Sequence, residues 1–182
     1  MTCWIIVPIK APADCKTRLR PILSDAAREA LVRRMLHHVV ETARGSAGVD
    51  RVLLLGPSRH GLDPATPLLA DPGRGLNDAL AAARDAAVAA GVDRLVFISA
   101  DLPRVTTADI QALIAQPTAS VGIAPDRAGT GTNALSIPLP QGARFGLHYG
   151  PDSLASHSAE ACMNFGLVVL TVMSWSFRSH AG

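Results

Sequence analysis

Short unbroken apolar runs alternate along the chain with longer stretches in which apolar residues recur every three or four positions. Residues 4–9, "WIIVPI", are apolar without interruption. A run with no polar alternation predicts a strand buried on both faces, as in a parallel sheet. A polar loop follows over 10–23. Ser24 then stands as an N-cap to "DAAREALVRRMLHHVVETARG", where Ala27, Leu31, Met35, Leu36 and Val39 recur at helical spacing and Gly45 stops the helix. "DRVLLLGP" (50–57) predicts a second strand, followed by a loop rich in Pro and Gly. "GLNDALAAARDAAVAAG" (75–91) predicts a second helix and "DRLVFISADLP" a third strand. Thr107 is expected to cap a short helix over 108–115. "ASVGIAP" (119–125) and "NALSIPL" (133–139) predict strands. A helix opening on proline is expected over 151–166, and a last strand over 167–173.

The order β-α-β-α-β-α-β-β-α-β favours an α/β fold with a mainly parallel, mixed central sheet. No internal repeat and no linker divides the chain, so residues 1–182 are expected to form one domain.

Composition narrows the picture. Apolar residues make up 48% and charged residues 18%, which suits a packed core rather than a disordered chain. A formal charge of +2, with basic residues scattered and not interleaved with aromatics, argues against a nucleic-acid track. Cys3, Cys15 and Cys162 are odd in number and far apart, so neither a zinc site nor a disulfide framework is expected. The first apolar run is too short for a signal peptide, and no run approaches a membrane span. A cytoplasmic protein with no membrane partner is the expectation.

One anomaly survives this accounting. Lys10 and Lys16 are the only lysines; every other basic side chain is arginine. Both stand just after the first strand, in "CWIIVPIKAPADCKTRLRP". A solvated basic loop is the plain explanation. A phosphate path is the alternative, because a lysine ammonium is a compact, mobile charge where arginine is a planar fork.

Three more polar loops follow expected strands, where sites in such sheets gather. "DPGRGLNDAL" offers Gly73 and Gly75 for close backbone approach, with Asn77 opening a helix. In "FISADLPRVT", Asp101 can be a turn aspartate or a ligand for Mg²⁺, which takes few protein carboxylates besides phosphate oxygens. "APDRAGTGTNALSIP" contains G-x-G-x-x-A at Gly129, Gly131 and Ala134, but strand-type residues follow it, so a dinucleotide fold is rejected. Nearby, "YGPDSLASH" puts Ser153 and His157 on one helical face. Ser153 has no G-x-S-x-G elbow and is not read as a nucleophile.

Together, "VPIKAPADCKTRL", "DPGRGLNDAL", "ISADLP", "PDRAGTGTNAL" and "YGPDSLASH" resemble the phospholactate guanylyltransferase family over about residues 4 to 160. The resemblance implies a GT-A-like nucleotidyltransferase fold. It implies transfer of GMP from GTP, with Mg²⁺, onto 2-phospho-L-lactate, phosphoenolpyruvate or 3-phospho-D-glycerate, in coenzyme F-420 biosynthesis. Carried over by motif, Lys10 and Lys16 handle phosphates and Asp101 binds metal. Thr132, Gly150 and Ser153 hold the acid. The "GLN" loop, Gly75 to Asn77, belongs to the nucleotide side, where the loop positions of Arg18 and Gly73 also put them. The chain departs from the family after its last strand. Where an aspartate-rich stretch is usual, "LVVLTVMSWSFRSHAG" has no carboxylate. Asp126 and Asp152 are the alternatives for a second metal ligand.

Other readings keep the fold and change the chemistry: a cytidylyl-, uridylyl- or molybdopterin nucleotidyltransferase, or a non-catalytic nucleotide or sugar-phosphate binder. The apolar tail "LTVMSWSF" suits a homodimer face or a final core strand equally.

Overall fold

The computed structural model describes residues 1–172. Along them lie β1 (Cys3–Pro8), α1 (Asp25–Arg44), β2 (Arg51–Leu55), β3 (Leu68–Leu69), α2 (Leu76–Ala89), β4 (Arg94–Ile98), α3 (Thr107–Ile114), β5 (Ser120–Pro125), β6 (Thr132–Pro138), α4 (Ser153–Ala159) and β7 (Val168–Thr171). The strands form one sheet in the order β3-β2-β1-β4-β6-β5-β7. β1 pairs parallel with β2 and β4, and β2–β3 and β5–β7 are also parallel. β6 runs antiparallel to both of its neighbours, β4 and β5.

The unbroken apolar run of β1 follows from its place. It has a strand on each side and a helix layer on each face. Cys3, Ile5 and Val7 point into one core with Leu36, Val39 and Val40 of α1 and Ile110 and Leu113 of α3. Trp4 and Ile6 point into the other with Leu80 and Ala83 of α2 and Phe145 and Leu147 from the loop before α4. Alternate residues of one strand thus feed two cores, which makes the molecule a three-layer α/β/α sandwich. Arg94, at the start of β4, is almost wholly buried. Its guanidinium donates to Ser136 Oγ at 2.9 Å and to the carbonyls of Gln116 and Pro117 at 2.8 and 2.9 Å, strapping β4, β6 and the end of α3 together.

The elements follow the hydrophobic pattern, with differences at their ends. The cap of α3 is Thr106, not Thr107. Its hydroxyl accepts from Asp109 N–H, and the Asp109 carboxylate accepts from Thr106 N–H in return. That reciprocal box needs a carboxylate three residues on, which Thr106 has and Thr107 lacks. The helix expected over 151–166 divides into α4 and a π turn over Glu160–Asn164, and it is entered through Asp152, in the left-handed region, rather than on Pro151. The two-residue β3 lies inside the Pro- and Gly-rich loop and is too short for any periodicity to reveal. Of the last expected strand, Met173 lies outside the described residues, as does most of the tail read as a dimer face. No helix among the described residues is long and apolar enough to cross a membrane.

Candidate functional site

Because β1 and β4 are parallel neighbours, their carboxyl ends open on one edge of the sheet. The loop after β1 carries Lys10 and Lys16, and the turn after β4 carries Asp101. A cleft of about 480 Å³ lies at that edge, with Lys10, Lys16, Asp14, Asp71, Asp101 and Tyr149 on its wall and an apolar floor that includes Met35 and Leu55.

Lys16 Nζ donates to Asp101 Oδ2 at 2.7 Å. The loop is built to deliver it. Single 3₁₀ turns over Pro12–Asp14 and Thr17–Leu19 flank Lys16, whose own backbone sits in the left-handed region at φ 49°. A non-glycine residue there costs on the order of 1 kcal/mol, so the turns hold Lys16 against its own preference. Lys10 is held by its backbone instead: its carbonyl is bonded to His60 Nε2 at 2.8 Å, while its side chain stays exposed. Arg18 is exposed on the second 3₁₀ turn and is not among the residues lining the cleft. Cys15 does line it, but burial raises its thiol pKa and leaves a poor nucleophile.

The loop over 71–75 and the start of α2 reach the cleft through Asp71 and Leu76. Gly73 and Gly75 are exposed, and Gly75 opens α2 at φ 103°, a conformation that a side chain would strain. Asn77 does not point a spare amide at the cleft. Its Oδ1 accepts from Tyr149 N–H at 2.8 Å and its Nδ2 donates to Tyr149 O at 3.1 Å, so both ends of the amide are spent on the backbone of one residue.

Tyr149 is followed by Gly150, and Thr132, Gly150 and Ser153 lie beyond it. Leu154 N–H donates to Thr130 O at 3.0 Å, which packs the start of α4 on the turn before β6. Ser153 is 2% exposed and Thr132 6%, so both hydroxyls are nearly covered; Gly150, at φ 147°, is the open member. These three are not among the residues lining the cleft, but they adjoin it. Ser99, on the cleft wall, donates its N–H to the carbonyl of Asn133, the residue after Thr132, at 2.8 Å.

Both alternatives for a second metal ligand lie outside the cleft. Asp126 Oδ1 accepts from Thr130 N–H at 3.0 Å inside the β5–β6 turn, and Asp152 lies exposed before α4. Neither lines the cleft, whereas Asp14 and Asp71 do. No group of three His, Cys, Asp or Glu residues able to hold a metal ion occurs among the described residues.

Three residues of the site carried no assignment from sequence. Tyr149, the only tyrosine, lines the cleft and precedes Gly150, and burial raises its pKa. His60 pins the Lys10 carbonyl. His157, fully buried, lies within 3.1 Å of Thr132 Oγ1 through Nδ1 and accepts His148 N–H through Nε2 at 2.9 Å. Burial and the neighbouring His148 push its pKa down to about 4, against a smaller upward pull from Glu160. The helical spacing of Ser153 and His157 was the one available signal for it.

The family model "Guanylyl transferase CofC like" matches residues 3–174. A phosphoenolpyruvate guanylyltransferase of Sphaerobacter thermophilus is 36% identical over 166 residues, covering 88% of this chain and 79% of that protein. A 2-phospho-L-lactate guanylyltransferase of Methanosarcina acetivorans is 35% identical over 158 residues, covering 86% and 71%. Among solved structures, a putative nucleotide-diphospho-sugar transferase from Desulfovibrio desulfuricans G20 superposes with a TM-score of 0.72 at 19% identity, covering 93% of this chain and 78% of that one. Glucosyl-3-phosphoglycerate synthase from Mycobacterium tuberculosis, in complex with Mn²⁺, uridine diphosphate and its product, does so with a TM-score of 0.65 at 12% identity, covering 94% and 70%. At these identities the structures speak for the GT-A-like fold alone.

Proposed function

The chain belongs to the CofC-like guanylyl transferase family, and from that membership we propose that it moves GMP from GTP onto a small phosphorylated carboxylic acid and releases pyrophosphate. The observation that carries this reading is the pairing of Lys16 with Asp101 on the wall of the cleft beside Lys10. An ammonium 2.7 Å from a carboxylate, with a second lysine beside it, matches a triphosphate whose charge is neutralised from both sides.

The proposed roles run across the cleft. Lys10 and Lys16, with Arg18 at the outer rim, line the triphosphate path, and Gly73 and Gly75 let the nucleotide approach the backbone. Thr132, Gly150 and Ser153 receive the acid, which enters over the open Gly150. A phosphate oxygen of the acid attacks the α-phosphorus of GTP. A new P–O bond forms there as the bond to the β-phosphate bridging oxygen breaks, and pyrophosphate carries the charge away. The nucleophile is already anionic near neutral pH, so the chain supplies orientation and charge neutralisation rather than a base. The site's chemistry suits Mg²⁺, which takes one or two carboxylates plus phosphate oxygens: Asp101 already holds a cation in Lys16, and Asp14 and Asp71 share its wall. When bound, Mg²⁺ would supply Lewis-acid neutralisation of the phosphates.

We read residues 1–182 as one catalytic domain. The reading extends to a cytoplasmic protein, with Cys3, Cys15 and Cys162 all unpaired, acting in coenzyme F-420 biosynthesis. Phosphoenolpyruvate, 2-phospho-L-lactate and 3-phospho-D-glycerate are the acceptors to test. Supplying the three together with GTP and Mg²⁺, and identifying the guanylylated product, decides among them. No product from any of them, across a panel of nucleotides, would overturn the proposal. One observation favours a second reading, a nucleotide-binding protein without turnover: no Asp or Glu follows Glu160, where the family that the sequence resembles has an aspartate-rich stretch. Nucleotide binding without pyrophosphate release would establish it.

A further inference from the structure

His157 is fully buried, yet both of its ring nitrogens are engaged. Nε2 lies 2.9 Å from the backbone nitrogen of His148. A peptide N–H can only donate, so Nε2 must present its lone pair, and the ring proton must sit on Nδ1. Nδ1–H then donates to Thr132 Oγ1 at 3.1 Å. The threonine hydroxyl, acting as acceptor toward the ring, keeps its own proton to give elsewhere.

Other groups around the ring defend this state. His148 and Tyr149 pack on it from the loop before α4, with ring centroids 6.0 and 4.9 Å away, and Phe145 does so at 6.2 Å. Glu160, on the π turn, accepts from Gly146 N–H at 2.8 Å and from Asn164 Nδ2 at 2.6 Å and lies 3.4 Å from His148 Nε2; its pull on His157 is the smallest of the influences on that ring. A doubly protonated ring would set Nε2–H against His148 N–H, donor against donor.

We infer that His157 is a positioning residue for the acceptor acid: as a neutral ring protonated on Nδ1, it fixes the Thr132 hydroxyl as a donor to an anionic oxygen of the acid while holding the loop that carries Gly150. The inference rests on the proposed acid site at Thr132, Gly150 and Ser153, and adds the group that orders it. His157 itself touches no substrate.

The test pairs steady-state kinetics with a spectroscopic readout. His157→Ala should raise KM for the acid about tenfold or more while KM for GTP stays within about twofold, the size expected when one hydrogen bond to a charged group loses its orientation. His157→Gln, whose amide can donate to one side and accept from the other, should recover most of the loss. In a Thr132→Val background the difference in acid KM between His157→Gln and His157→Ala should shrink, leaving only the share owed to the His148 N–H contact that holds the loop. In the wild-type protein, ¹⁵N NMR at pH 7 should show the His157 ring protonated on Nδ1 only. A ring protonated on Nε2, or charged, overturns the inference whatever the kinetics. So does an acid KM that rises with His157→Ala as strongly without the Thr132 hydroxyl as with it. If the wild-type protein turns over none of the acids, the proposed function falls and takes the acceptor role with it. Normal turnover with an indifferent His157→Ala removes the inference alone.

Discussion

Lys16 reaches Asp101 at 2.7 Å, yet its side chain is 30% exposed and that of Asp101 42%. An ion pair so wet contributes at most about 1 kcal/mol to folding. Its worth lies in the cleft, so substitution should separate activity from stability. Lys16→Ala should leave the melting temperature almost unmoved and lower kcat/KM with GTP by about 10²–10³-fold, the scale for losing one preorganised charge-stabilising contact. Wild-type kcat/KM in that variant would remove Lys16 from the triphosphate path. Asp101→Asn keeps the shape and loses the charge; full Mg²⁺-dependent turnover would disprove the metal assignment. His157 makes the opposite case, a buried group with a calculable link to folding. Its pKa in the fold, about 4, lies below its ordinary 6.5, so the folded state favours the neutral ring. That contribution is complete above pH 6.5 and drains away as pH falls through 4, a loss of about 3 kcal/mol in all. Urea denaturation at pH 7 and pH 4.5 should show the loss, and His157→Gln should flatten the difference. At this scale the sequence was legible where a residue type was anomalous. Two lysines among arginines stood out; a histidine whose meaning lies in its tautomer did not.

At the scale of the element, the informative residues are those that end one segment and fasten another. Thr106 closes a capping box with Asp109, and Thr106→Ala should cost about 1 kcal/mol, measured by chemical denaturation, while Thr107→Ala should cost much less. Either threonine is a credible cap when one reads for a hydroxyl alone; only the position of the carboxylate three residues later tells them apart. Asn77 was legible as the opening of α2 but not as a fastener, because its partner, Tyr149, is remote in sequence. Its amide joins the start of α2 to the loop before α4 through two hydrogen bonds, at 2.8 and 3.1 Å. Asn77→Asp replaces the donor with a second acceptor facing Tyr149 O. It should raise KM for the acid as well as for GTP, whereas a residue that only contacted the nucleotide would move GTP alone. Kinetics with each substrate varied in turn will distinguish the two.

For the molecule as a whole, apolar periodicity was enough to establish the order of every strand and helix but β3, and β1 advertised its central position by having no polar residue to spare. What periodicity could not reveal is the order of strands in space. β5 is placed one position away from β4, and β6 enters the gap running backwards. Nothing in "NALSIPL" distinguishes that placement from an edge, except that all seven residues of β6 are buried. The reversal explains why Thr132, the first residue of its strand, stands at the same edge as residues that follow β1 and β4. Parallel strands deliver ligands from their exits, and an antiparallel one delivers from its entrance.

The embedding of β6 also has a mechanical consequence. A strand paired on both sides and covered on both faces opens to solvent only when the sheet itself comes apart, so its amides should be among the last to exchange. The loop over 10–23 belongs to no sheet: single 3₁₀ turns, the bond of His60 to the Lys10 carbonyl and a half-exposed ion pair are among the contacts that hold it. The cleft therefore sets a stiff sheet edge, whose Ser99 wall is bonded to β6, against a yielding loop that carries both lysines. Hydrogen–deuterium exchange should show protection lasting longest in β6 and shortest over 10–23, with GTP slowing exchange mainly in the latter.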